Sequence, residues 1–167
     1  IYLAGGRDPQ GKPTSAVFKY SIDTDKWTNV KDMRLKRCGH KLITANGLIY
    51  AIGGARARSI EAYYPVINKW KLETETAGTG PISTDFTATL HQNSIYILHS
   101  KGFEVIHPNS KTGNVLPFNT YDFHIKGAKL VSINNKLLLV YERSYRDQVK
   151  NNFGKFETFY QFDTIKQ

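Results

Sequence analysis

The chain is 167 residues long, 40% hydrophobic and 13% aromatic, with a formal net charge of +9 at neutral pH. Its single cysteine, Cys38, excludes an internal disulfide, and no apolar run reaches the roughly 18 residues that a membrane-spanning helix needs. Neither a signal-like segment nor an Asn-x-Ser/Thr acceptor occurs, which favours the cytoplasm, or the nucleus, over a secretory route.

Ile1-Tyr2-Leu3-Ala4 reads as a short apolar strand that stops at Gly5-Gly6. Tyr20 follows, with Trp27 seven residues beyond it. Gly39 to Ala45 and Leu48 to Gly53 are β-prone stretches joined by Asn46-Gly47, two residues that accept the positive φ of a tight hairpin turn. The pattern then repeats, with Gly53-Gly54 closing the strand and Tyr63 and Trp70 again seven residues apart. The glycine pairs lie 48 residues apart and the tryptophans 43 apart, the spacing of a repeat architecture.

A third unit has the strand Ser94 to Leu98 but carries His99-Ser100 at the glycine positions. Its Glu104-Val105-Ile106-His107-Pro108 parallels Glu61-Ala62-Tyr63-Tyr64-Pro65, and Val115 is expected at the tryptophan position. In a fourth, Lys136 to Val140 is the strand, Tyr141-Glu142 stand at the glycine positions and Tyr160 matches Tyr20. Gln92-Asn93 and Asn134-Asn135 fall where Asn46-Gly47 makes its turn. The polar stretch from Arg143 to Lys155 is expected as a loop, and Glu73 to Ser83 as a linker. No segment sustains an apolar stripe at helical period, so the chain reads as all-β.

An apolar strand ending in Gly-Gly, with a Tyr and a Trp at set distances after it, resembles the kelch motif. The resemblance implies a kelch-type β-propeller, a ring of four-stranded blades, about six in this family. The chain is then expected to be a partial ring of about four blades and a piece of a larger protein. Residues 1–34 form a partial blade, 35–80 a complete one, 81–121 a degenerate one and 122–167 a degenerate, truncated one. Gly5, Gly6, Gly53 and Gly54 would allow close backbone approach. Tyr20, Trp27, Tyr63 and Trp70 would fill the wedge between neighbouring sheets.

Two basic groups stand out, Arg34-Leu35-Lys36-Arg37 and Arg56-Ala57-Arg58, with Arg7 and Lys12 placed after the first glycine pair as Arg56 and Arg58 follow the second. The kelch resemblance implies that loops in these places reach a partner-binding face. Arg7, Lys12, Arg34, Arg37, Arg56 and Arg58 are therefore candidate contacts for a protein or acidic peptide, since guanidinium pairs with carboxylate through two hydrogen bonds. Ordinary solvated loop charge is the alternative. The excess charge is spread along the chain, which disfavours a dedicated nucleic-acid module.

No phosphate loop, nucleophile elbow or His-Glu-x-x-His motif is present, and Cys38 with His40 is too slight a pattern for a metal site. No enzyme activity and no cofactor are expected. A copper oxidase on a kelch-like propeller is a distant third reading, with no ligand set to carry over. The resemblance is greatest to intracellular BTB–kelch proteins, which implies a substrate adaptor for a cullin–RING ubiquitin ligase. BTB and BACK domains outside this chain would provide dimerisation and cullin binding. A cytoskeletal kelch scaffold that binds actin is the competing expectation.

Overall fold

The computed structural model describes residues 1–54, 57–75, 85–100, 102–108, 112–116, 125, 127–147 and 152–162. Among them are fourteen β-strands and one turn of 3-10 helix, Pro65–Ile67, and every sheet is antiparallel. The chain divides into two compact units, Ile1–Thr84 and Asp85–Gln167.

The first unit holds two sheets. Strands β1 (Tyr2–Ala4), β2 (Val17–Ser21) and β3 (Lys26–Asn29) pair in the order β1-β2-β3. Strands β4 (Lys41–Ala45), β5 (Leu48–Ile52), β6 (Ser59–Tyr64) and β7 (Lys69–Glu75) pair in the order β4-β5-β6-β7. Each strand thus pairs with its neighbour in the sequence. The β4–β5 turn uses Asn46 and Gly47 at φ 50° and 73°, the paired positive values of a hairpin turn that matches strand twist.

The wedge between these two sheets is filled from one face of the four-stranded sheet. Ile49, Ala51, Tyr63 and Trp70 pack against Ala4, Val17 and Met33, with Tyr2 and Val30 at the margin. Tyr63 and Ile49 lie opposite one another, as do Tyr63 and Trp70, so strand register alone puts these side chains on one face. The Tyr63 ring meets Trp70 at 5.2 Å and the edge of Tyr2 at 5.6 Å, and Trp70 Nε1 donates to the Lys31 carbonyl at 2.8 Å. Such aromatic pairs add about 0.5–1.5 kcal/mol beyond the area they bury.

Tyr20 and Trp27 make the same cross-strand pair at 5.1 Å, yet Trp27 is 53% exposed. The face they share with Leu3 points away from the wedge, and among the described residues of this unit no sheet covers it. Wedge filling is therefore seen for Tyr63 and Trp70, while no described residue of this unit covers Trp27 in that way.

The glycine pairs flank the connection leading into β4. A Cβ on Gly5 would sit 2.6 Å from the Arg37 carbonyl oxygen, and one on Gly54 would sit 2.7 Å from that of Cys38. Both positions also have positive φ, 63° and 80°, so sterics and backbone geometry each call for glycine.

In the second unit, β8 (Phe86–His91), β9 (Ser94–His99), β10 (Gly102–His107) and β11 (Thr112–Leu116) form one sheet, and β12 (Lys129–Ile133), β13 (Lys136–Asp147) and β14 (Asn152–Phe162) another. Leu98, Phe103, Ala128, Leu130, Leu137 and Leu139 form its core. The sheets are tied along β8 and β12, where the Leu130 N–H donates to Thr87 Oγ1 at 2.8 Å and His91 Nδ1 meets Ser132 Oγ at 2.9 Å. The turns at Gln92-Asn93 and Asn134-Asn135 again have positive φ at both residues, like the turn at Asn46-Gly47.

The linker expected from Glu73 to Ser83 starts later, because β7 runs to Glu75, and 76–83 lies outside the described residues. Three further expectations need correction here. Val115 lies opposite Glu104 as Leu72 lies opposite Glu61, so it does not replace the tryptophan; Gly113, opposite Ile106, holds that place. Phe162 pairs with Leu137 as Tyr63 pairs with Ile49, so Phe162 and not Tyr160 occupies the Tyr20 position. The stretch 143–155 is mostly strand: β13 and β14 stay in register from Leu137↔Phe162 out to Asp147↔Asn152. Its charges suggested a loop, but Tyr145, Phe153 and Phe156 spaced among them give it β-forming character.

Candidate partner-binding surface

The loop after the first glycine pair is a closed, hydrogen-bonded structure. Gly5 N–H donates to the Ala16 carbonyl at 2.9 Å and Thr14 N–H to the Gly6 carbonyl at 3.1 Å, so the loop runs back along itself. At its tip Asp8 Oδ1 accepts from the backbone N–H groups of Gln10 and Lys12 at 3.0 and 2.8 Å, the local turn chemistry for which Asp is suited. Arg7 Nη1 donates to the Gly11 carbonyl at 2.6 Å. Arg7 and Lys12 are both exposed.

The connection carrying the first basic group lies against this loop. Gly6 N–H donates to the Arg37 carbonyl at 2.8 Å, Arg37 N–H to the Thr14 carbonyl at 2.9 Å, and Met33 N–H to the Ser15 carbonyl at 3.0 Å. The two segments that carry Arg7, Lys12 and Arg34 are thereby held side by side, with Arg34 and Lys36 exposed. Arg58 is half-buried, and Arg56 lies outside the described residues.

Arg37 departs from the expectation for that group, because it is 0% exposed. Its Nη2 donates to Glu61 Oε1 at 2.8 Å and to Ser59 Oγ at 2.7 Å, and Nη1 to the carbonyls of Gly53 and Ser59 at 2.6 and 3.0 Å. Glu61 also accepts the backbone N–H groups of Arg34 and Leu35, at 2.7 and 3.2 Å. A buried charge persists only when paired and hydrogen-bonded, and both members of this pair are. As placed here, Arg37 cannot touch a partner: it clamps the connection onto β6 and onto the end of the strand that carries the second glycine pair. Sequence reasoning assigned no role to Glu61 or Ser59. The available signal was the recurrence of Glu104 at the place of Glu61, and Glu104 is also buried, with Oε1 2.8 Å from His99 Nε2.

Asp25 and Asn68 share a role that local turn propensity only hints at. Both have positive φ, and each accepts a hydrogen bond from the tyrosine hydroxyl five residues before it, Tyr20 or Tyr63. Asn68 Oδ1 also accepts the Lys31 N–H at 2.8 Å, which adds a second tie between the sheets. Cys38 is buried, and burial, with the Arg37 charge second, holds the His40 imidazole below its usual range against a smaller upward effect of a bond to Ala4. Among the described residues no three His, Cys, Asp or Glu side chains gather as a cation site, and no helix is long and apolar enough to cross a membrane.

The family model for the Kelch motif matches residues 1–34. The chain is 29% identical over 102 residues to Kelch-like protein 6 of Homo sapiens, covering 59% of this chain and 15% of that protein. It is 29% identical over 124 residues to Kelch repeat and BTB domain-containing protein 8 of Rattus norvegicus, covering 65% of this chain and 21% of the relative. With Beta-scruin of Limulus polyphemus the identity is 34% over 84 residues, covering 44% and 9% respectively. The chain thus spans less than a quarter of each of these relatives.

Proposed function

Since this chain is a kelch-repeat protein whose relatives include kelch-like and BTB–kelch proteins, we propose that it is the partner-recognition part of a BTB–kelch adaptor, choosing substrates for a cullin–RING ubiquitin ligase in the cytoplasm or nucleus. Kelch repeats bind protein partners. The observation that supports the reading is the pair of segments, hydrogen-bonded to each other, that carry Arg7, Lys12 and Arg34, all three exposed. Loops held by a sheet framework are where recognition residues concentrate. Their shared positive charge suits an acidic stretch of a protein substrate. Arg58 and Arg56, after the second glycine pair, belong to the same proposed set. In this reading a BTB domain outside these 167 residues forms a homodimer and engages the cullin.

The test is affinity capture from cells with the full-length protein, comparing wild type with the triple substitution Arg7→Ala, Lys12→Ala, Arg34→Ala. Capture of the substrate should fall while cullin association and the melting temperature stay unchanged. Equal capture by the folded variant would overturn the assignment of this surface. The competing reading, a scaffold that binds actin filaments, predicts saturable co-sedimentation with filaments and no cullin association.

A further inference from the structure

Between the β3–β4 connection and strands β6 and β7, the first unit has a cleft of about 230 Å³ lined by Arg34, Leu35, Ser59, Glu61 and Leu72. Pockets for drug-sized ligands run from about 300 to 1,000 Å³, so this one is sized for a single side chain. Its apolar part is Leu35 and Leu72, each 45% exposed, Leu72 lying directly opposite Glu61 on the outer strand β7. Exposed leucines scattered singly need no explanation, but two on one concavity offer an apolar seat.

The electrostatics of the cleft decide what would sit there. Glu61 alone would make it acidic, yet that carboxylate is already paired with Arg37 at 2.8 Å and accepts two backbone N–H groups. The uncompensated charge belongs to Arg34. Its backbone N–H is used by Glu61, while its guanidinium has no hydrogen-bond or ion-pair partner among the described residues. A neutralised floor, two leucine walls and one free guanidinium complement an aliphatic side chain with a carboxylate beside it. Nucleic acid would call for aromatic stacking surfaces, and the walls here are aliphatic.

We infer that this cleft is a specificity pocket for a leucine-like side chain flanked by Asp or Glu in an acidic segment of the protein partner. The inference rests on the partner-binding reading above and adds to it a second contact, between the β3–β4 connection and the β6–β7 pair. Arg34 joins the two, since it is exposed on the connection that borders both. The linear charge pattern around Arg34 gives no sign of the pocket, because Leu72 reaches it from 38 residues further along the chain.

The probes are two fluorescein-labelled peptides, Asp-Glu-Leu-Glu-Asp and Asp-Glu-Ala-Glu-Asp, titrated with the full-length protein and read by anisotropy. The leucine peptide should bind at least about tenfold more tightly than the alanine peptide, the discrimination that a few buried methyl groups provide. Leu72→Thr, a β-compatible change on an exposed edge position, should remove that difference without lowering the melting temperature. Arg34→Gln should weaken both peptides about equally. Equal binding of the two probes, no binding of either, or an unchanged preference in Leu72→Thr would each overturn the pocket. Substrate capture that survives Leu72→Thr but is lost in Arg7→Ala, Lys12→Ala would overturn the pocket alone and leave the loop surface standing. Capture indifferent to both variants would overturn the two together.

Discussion

Replacing Arg37 with Met keeps much of its bulk and removes its five donors. In the folded protein that change strips one full charge partner from Glu61, whose carboxylate is 2.8 Å from the guanidinium in a site closed to water. It also leaves the carbonyls of Gly53 and Ser59 without the donors they now have at 2.6 and 3.0 Å. Breaking a buried pair by removing one member costs about 3–5 kcal/mol, because the remaining charge stays buried. That is a large part of the roughly 5–15 kcal/mol that holds a typical domain together.

The double change Arg37→Met with Glu61→Leu distinguishes the causes. Replacing both charges of a buried pair is often neutral or stabilising. Here it should still cost about 2–4 kcal/mol, because the backbone groups served by the pair lose partners at about 1–3 kcal/mol for each that stays dry. Equilibrium urea unfolding with tryptophan fluorescence measures both, read as a shift in midpoint at constant slope. A loss below about 1 kcal/mol in Arg37→Met would refute the clamp, given the magnitude expected for such a pair. A stable Arg37→Met protein that no longer captured substrate would return Arg37 to the contact role that its place beside Arg34 first suggested.

The two tryptophans should respond unequally. Trp70→Ala, at 7% exposure and with its indole N–H bonded to Lys31, should cost about 3–5 kcal/mol, while Trp27→Ala should cost clearly less, both in urea unfolding. Equal losses would mean that Trp27 is covered in solution. Gly54→Ala places a Cβ 2.7 Å from the Cys38 carbonyl at φ 80°, and should cost about 3 kcal/mol or more; Gly11→Ala, at φ 78° with nothing within 4 Å, should cost only about 1–2 kcal/mol. Equal costs would show that close approach contributes nothing. The Tyr64 hydroxyl donates to Glu73 at 2.7 Å, and that bond, with burial second, pushes its pKa up to about 12. Its folded value exceeds its unfolded one, so this contribution is complete below about pH 10 and is lost as pH rises through about 12. Glu73→Gln should bring one phenol back toward the ordinary range in tyrosinate absorbance, and an unmoved titration would discount the bond.

Much of the architecture is legible without coordinates because it is local. A hairpin turn needs positive φ at two adjacent residues, and Asn46-Gly47 supplies them in a way that can be read from two letters. Alternation and strand register place Tyr63, Ile49 and Trp70 on one face once the strands are recognised. Where locality misled, the error has a physical form. Charge density hid the strand character of 143–155, and the search for a large residue fell on Val115 although the seven-residue spacing points to Gly113.

The chemistry of the site was decided by tertiary structure. Arg34 and Arg37 are three residues apart in the same basic run, yet one is exposed and the other fully enclosed. The difference comes from groups 16, 22 and 24 residues away, on Gly53, Ser59 and Glu61, which only the folded sheet brings within hydrogen-bonding reach of a single guanidinium. Charge can be counted along a chain, but desolvation depends on what folds over it. Most strands and turns of this protein are therefore legible in its sequence read locally, whereas which of its cations stay exposed is settled by burial.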